Sequence, residues 1–186
     1  DDRALLTGKA IGKEVEAKEK IDAIHQKLAE VASHHPEWQG KTAAIAHASP
    51  GDGSSLAYTS KDIRMQILEE IGFVAPKSVN ALMGNLPQDY VIRLSAEDLS
   101  PIDTDLLIWL SFDGSWDNVK NLAARPFLTV TREGRDVYAG GEVSGAFSHT
   151  SLLSLPYAIE RLVPMVEAAL DGNPETHNDD RDRGLE

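Results

Sequence analysis

Asp105-Leu106-Leu107-Ile108-Trp109-Leu110 is an uninterrupted apolar run behind one acidic residue. Thr42-Ala43-Ala44-Ile45-Ala46-His47 is a second, bounded by Gly40 and by Ser49-Pro50-Gly51-Asp52-Gly53. Short apolar runs closed off by turn residues read as strands buried on both faces. Tyr90–Leu94 and Asp136–Ala139 have the same character, and Phe127–Val130 is a further strand candidate. Residues 54–59 read as a short strand or an ordered loop.

Helical patterns flank these runs. Residues 3–11 read as the end of one helix, stopped by Gly12. From residue 13 to 33, Ala17, Ile21, Ile24, Leu28 and Val31 step by helical spacing and form one stripe, ended by His34-His35-Pro36. Ser60 is placed to cap a helix carrying Ile63, Ile67, Leu68 and Ile71 and stopping at Gly72. Ser95-Ala96-Glu97-Asp98 has the form of a capping box opening a short helix, and residues 116–124 read as helical. The last helix carries Leu152, Leu155, Ile159, Leu162, Val166 and Ala169, with Pro164 expected to kink it. Strands alternating with helices predict an α/β domain: a three-layer, Rossmann-like lobe with a mostly parallel sheet flanked by helices.

The composition sets limits on function. Of 186 residues, 41% are hydrophobic, enough for one core. With 18 basic and 30 acidic residues the net charge is −12, the wrong sign for nucleic acid or an anionic membrane surface. No cysteine is present, so disulfides, thiolate metal sites and cysteine nucleophiles are excluded. His34 and His35 are adjacent and diverge on a helix. No His-x-x-x-His or paired-carboxylate pattern points to a resident metal.

Ligands of parallel α/β sheets sit outside the carboxyl ends of the strands. That rule selects the segments 48–59, 111–116 and 140–150, each Gly- or Ser-rich and each holding or abutting an aromatic residue. Tyr58, Phe112, Trp116 and Phe147 are the aromatic candidates for a ligand cleft, with Tyr90 just ahead of a strand. Trp109, inside the buried run, is expected in the core. Arg64 is the candidate for oxygen-rich anions, and His149 a candidate ligand contact.

The order of several motifs carries a resemblance. Gly12-Lys13-Glu14-Val15-Glu16-Ala17 opens a long amphipathic helix, and Ile67-Leu68-Glu69-Glu70-Ile71-Gly72-Phe73 closes another. Leu94-Ser95-Ala96-Glu97-Asp98-Leu99 precedes Ile102-Asp103-Thr104-Asp105 and the central strand. Glu133-Gly134-Arg135-Asp136-Val137-Tyr138 leads into the last strand. Residues 12–171 thereby resemble the linker helix and second lobe of the solute-binding proteins that serve iron–siderophore and cobalamin ABC importers.

The resemblance implies a non-catalytic protein with no cofactor of its own. It would capture a ferric siderophore or related chelate between two lobes and deliver it to an ABC permease. It assigns residues 1–11 to the end of a first-lobe helix, 12–38 to the inter-lobe helix and 39–172 to the C-terminal lobe. It implies a missing N-terminal lobe, an exported protein and a lipid-anchoring cysteine upstream. It matches Glu97 to the glutamate that docks on permease arginines. Several members of this family carry an arginine at the start of the helix that leads to the glycine-phenylalanine end; here Ile63 occupies that position and Arg64 is one residue out of register. This departure leaves neutral hydroxamates and a corrinoid open, and haem remains an alternative. Residues 173–186 are expected to be a disordered acidic tail.

Two other classes compete. A small α/β enzyme or cofactor-binding domain fits the alternation, but the dinucleotide glycine fingerprint, the Walker lysine motif and a Gly-x-Ser-x-Gly elbow are all missing. A scaffolding domain predicts a large apolar face without cleft loops, which sits poorly with three aromatic-bearing, glycine-rich segments.

Overall fold

The structure is a computed structural model, and it describes residues 1–86, 88–112 and 116–176. Helix α1 (Asp2–Ala10) turns through Gly12 into α2 (Glu14–His34). The two helices approach closely because Gly8 has no side chain. A Cβ there would fall 2.7 Å from that of Ala17 and 2.9 Å from the Lys13 carbonyl oxygen. The expected stripe of α2 is the buried one, with Ala17, Ile21, Ile24 and Leu28 facing inward.

Five strands follow: β1 (Ala43–Ala48), β2 (Ser55–Tyr58), β3 (Val91–Leu94), β4 (Leu106–Ser111) and β5 (Asp136–Gly140). They form one sheet in the order β3-β2-β1-β4-β5. β1 pairs parallel with β4, and β4 with β5. β2 runs antiparallel to both β1 and β3, so it alone opposes the direction of the other four. The mostly parallel, helix-flanked sheet expected from the sequence is therefore present.

Alternation along the strands builds a core on each face. Ile45, Leu106, Ile108, Leu110, Val137 and Ala139 face α2, α3 (Ile63–Glu70), α7 (Gly141–His149) and α8 (Ser154–Ala169). Ala44, Ala46, Ala48, Ala57, Leu107 and Trp109 face the short helices α4 (Lys77–Asn80), α5 (Asp117–Lys120) and α6 (Thr129–Arg132). The alanines make room there for Trp109, which is fully buried as expected and paired in register with Ala46.

Several local expectations are corrected. Segment 140–150 is not a loop: after β5 it forms α7, burying Val143, Ser144 and Phe147. In segment 48–59 the strand alternative for residues 54–59 holds, as β2. Gly51 and Gly53, both with positive φ, turn the chain back, and β2 pairs on both edges.

Residues 127–130 form no strand, because the Asp103 carboxylate accepts the Thr129 and Val130 amides at 3.0 and 2.9 Å and starts α6 instead. Ser95 Oγ does accept the Asp98 amide at 3.2 Å, but the chain turns without continuing as a helix. The predicted helix over 116–124 is confined to α5. The cap of α3 is Asp62 rather than Ser60: its carboxylate accepts the Arg64 amide at 2.9 Å. Within the expected tail, residues 173–176 fold back, with Thr176 Oγ1 donating to Asp171 at 2.7 Å. The tail expectation for 177–186 lies outside the described residues.

Candidate functional site

A compact polar cluster is built where β2 hands over to α3. Asp62, in extended backbone just before the helix, caps it and also holds Arg64 in a two-pronged ion pair. Arg64 Nε donates to Oδ1 and Nη2 to Oδ2, each at 2.7 Å. Its guanidinium carbon lies 3.8 Å from the centroid of the Tyr58 ring, and Nη1 reaches Ser148 Oγ in the last turn of α7 at 3.4 Å.

The ion pair is largely withdrawn from water, with side-chain exposures of 15% for Arg64 and 7% for Asp62. Burial works against the arginine charge, but the Asp62 bonds and Tyr58 outweigh it and raise the Arg64 pKa. Burial also pushes the Tyr58 phenol upward, so it stays protonated at neutral pH.

The Tyr90 carbonyl accepts the amide of Thr59, the residue after Tyr58, at 2.9 Å. It is 48% exposed and stands at the sheet edge beside β3. His149 follows Ser148 and is exposed, ahead of Thr150 in left-handed backbone. Tyr58 and Arg64 thus come together, but Tyr58 is only 6% exposed and belongs to the core rather than to an open cleft. Tyr90 is tied to the neighbouring Thr59 through the backbone, and His149 lies one residue beyond the Ser148 contact.

The other candidates lie elsewhere. Phe147 is fully buried in the core under α7, with no face left for a ligand. Trp116 is 4% exposed and packs edge-on to Tyr138, on the opposite face of the sheet from Tyr58. Phe112 is half exposed at the end of β4, and residues 113–115 of that loop lie outside the described residues. Phe112 meets His47 with ring centroids 5.3 Å apart, where a pocket of about 220 Å³ opens between the ends of β1 and β4. His47 Nδ1 donates to the Leu110 carbonyl at 3.0 Å, since that oxygen only accepts. Glu97 is exposed on the turn after β3, on the rim of a groove of about 580 Å³ shared with Asp98, Phe127 and Leu128.

Sequence reasoning missed Asp62, Ser148 and His47. Asp62 carried one available signal: an acidic residue directly ahead of an apolar helix is a cap, and a capping carboxylate lies close to the next turn's side chains. Among the described residues no group of three or more His, Asp or Glu side chains is disposed to hold a metal ion.

No protein-family model matches the chain, and no curated protein matches it in sequence. Its fold has solved counterparts. It is similar to a periplasmic solute-binding protein from Mycobacterium smegmatis, at TM-score 0.73 and 26% identity, over 91% of this chain and 56% of that one. It is also similar to Streptococcus pneumoniae PiaA in complex with ferrichrome, at TM-score 0.72 and 22% identity, over 92% of this chain and 58% of that one. FhuD of Vibrio cholerae with bound Fe3+–Desferal matches at TM-score 0.67 and 15% identity, over 88% and 59%. The chain spans little more than half the length of these proteins, and over that span it shares their fold.

Proposed function

We propose that this chain is the C-terminal lobe of the substrate-binding component of an ABC importer, capturing a ferric siderophore in a cleft completed by an N-terminal lobe. One observation carries the reading: about nine-tenths of the chain follows the fold of a continuing series of solute-binding proteins, while matching only part of each. In this reading the exposed Tyr90 and His149 offer the contact surface, while Tyr58 and Arg64 lie largely buried beneath. In this reading Phe112 contacts the ligand only at the cleft margin, Glu97 docks on the permease, and the protein is exported. It performs no chemistry on its ligand: the work is binding and release, driven by apolar contact with the chelate's shell and by polar contacts that orient it. Iron enters as cargo, and the protein needs no cofactor.

The test is a titration of the full-length gene product with ferric siderophores, haemin and cobalamin, followed by quenching of intrinsic fluorescence. Saturable quenching by a ferric siderophore, weakened by Tyr90→Ala, supports the reading. Saturation by haemin or cobalamin alone would retain a solute-binding protein and replace the ligand. Silence across the panel would overturn the assignment.

A further inference from the structure

Residues 96–100 and 123–128 face each other across the groove of about 580 Å³. Leu99, Ala124, Leu128 and Phe127 give it an apolar wall, and Glu97, Asp98 and Asp103 an acidic rim. Leu99 and Leu128 belong to the core under the short helices α4, α5 and α6. The groove therefore lies on the opposite face of the sheet from α7 and its His149.

A single exposed phenylalanine is ordinary on a protein surface. Phe127 differs in its setting. It is 80% exposed, takes no part in either core, and is held out by a well-tied turn. Its amide donates to the Ala124 carbonyl at 3.1 Å, and the Leu128 amide to the Arg125 carbonyl at 3.0 Å. On one side Arg125 is bound to Asp136 at 2.9 Å. On the other, the Asp103 carboxylate accepts the Thr129 and Val130 amides. A partner that covers Phe127 gains apolar contact without having to order the turn that carries it.

The rim fixes the sign of that partner. Asp98 accepts the Ser100 hydroxyl and amide at 2.6 and 3.0 Å, and these bonds hold its pKa down. Burial works against the Asp103 charge, but the Val130 and Thr129 amides outweigh it. Both carboxylates are therefore charged at neutral pH. Glu97 is exposed beside them, and among the described residues no basic side chain lines the groove. An apolar trough with an anionic rim is complementary to a segment that sets an apolar side chain beside arginine or lysine.

We infer that this groove receives a basic, apolar-bearing segment of the membrane permease, with Phe127 as the apolar anchor of the docked complex. The inference rests on the substrate-binding reading above and adds a hydrophobic contact to the charge contact of Glu97. An exposed ion pair by itself contributes little, so covering Phe127 supplies the larger share of the affinity.

The experiment measures binding of the full-length gene product to the siderophore-importing permease–ATPase complex of the same organism, held in nanodiscs, by surface plasmon resonance. It is run at about 0.05 M and about 0.5 M salt, where exposed charges are weakly and strongly screened. Phe127→Ala is expected to weaken docking about tenfold or more at both salt concentrations. Glu97→Gln is expected to weaken it chiefly at low salt. Both variants should keep the wild-type melting temperature and chelate affinity, since both side chains are exposed and lie away from Tyr90 and His149 in the fold. Docking of Phe127→Ala within about twofold of the wild type would overturn the inference. So would a loss seen only at low salt, and so would a chelate-binding wild type that does not dock. A wild-type protein that binds no chelate in the titration above would instead sink the substrate-binding reading.

Discussion

Trp116 rests directly on Gly140: a Cβ added to that glycine would fall 2.7 Å from Cζ2 of the indole. The Gly140 backbone, at φ −101°, is open to any residue, so glycine is required here by the neighbour rather than by conformation. Trp116 is in turn held edge-on against Tyr138, centroids 5.1 Å apart at 85°. Gly140→Ala must displace a buried indole and is expected to cost about 1–3 kcal/mol of stability. Urea unfolding measures it, and a cost below about 0.5 kcal/mol would mean the indole moves freely.

Arg125 and Asp136 form a buried pair at 2.9 Å, with Thr131 and Tyr138 hydroxyls also on the Asp136 carboxylate. Burial, only partly offset by Arg125, pushes the Asp136 pKa upward. Removing the arginine leaves an uncompensated carboxylate, so Arg125→Met is expected to lose about 3–5 kcal/mol near neutral pH. A group with a raised folded pKa stabilises most at low pH and loses that contribution as pH rises through the folded value. The deficit of Arg125→Met should therefore shrink as the pH is lowered from neutral. A pH-independent deficit would show that the carboxylate is not the source.

Asp103 and Asp105 behave in the opposite sense. Burial works against both charges, but the Val130 and Thr129 amides outweigh it at Asp103, and the Thr42 amide and hydroxyl outweigh it at Asp105. Both are held below the ordinary value of 3.8. A depressed folded pKa gives stability that is present above the unfolded value and is lost as pH falls through the folded one. The melting temperature should drop as pH is lowered from 4 toward 2, and Asp105→Asn should flatten part of that drop. Thermal melts across that range read the slope directly.

Phe147 and Tyr90 separate packing from binding. Phe147 is fully buried, so Phe147→Ala is expected to destabilise by about 3–5 kcal/mol. Tyr90 is 48% exposed, and Tyr90→Ala should leave stability within about 0.5 kcal/mol while weakening chelate binding. Paired unfolding and ligand titrations on the two variants decide between these roles.

The readings that held share a feature: each rested on a pattern repeated along one element. Every residue of β4 is buried, so its apolar run needed no context, and the α2 stripe announced its own buried face. The readings that failed depended on a distant partner. Segment 140–150 looks like a loop because glycines break its propensity, yet Val143 and Phe147 gain enough by burial to make it α7. Residues 127–130 look like a strand, and a carboxylate from Asp103 turns them into a helix. The aromatic candidates divided for the same reason, since local sequence does not say which face of the sheet receives a side chain.

The α/β class, the two-faced central strand and the long amphipathic helix were legible in the chain alone, because periodicity is a local property of the residues. The packing of the whole chain set the reversed direction of β2 and sent Phe147 and Trp116 into the core on opposite faces of the sheet. It also decided that the charge of Arg64 is cancelled by Asp62 and covered by Tyr58. Hydrogen-bond geometry and burial depend on which segments meet, and that meeting is set by packing the whole chain at once.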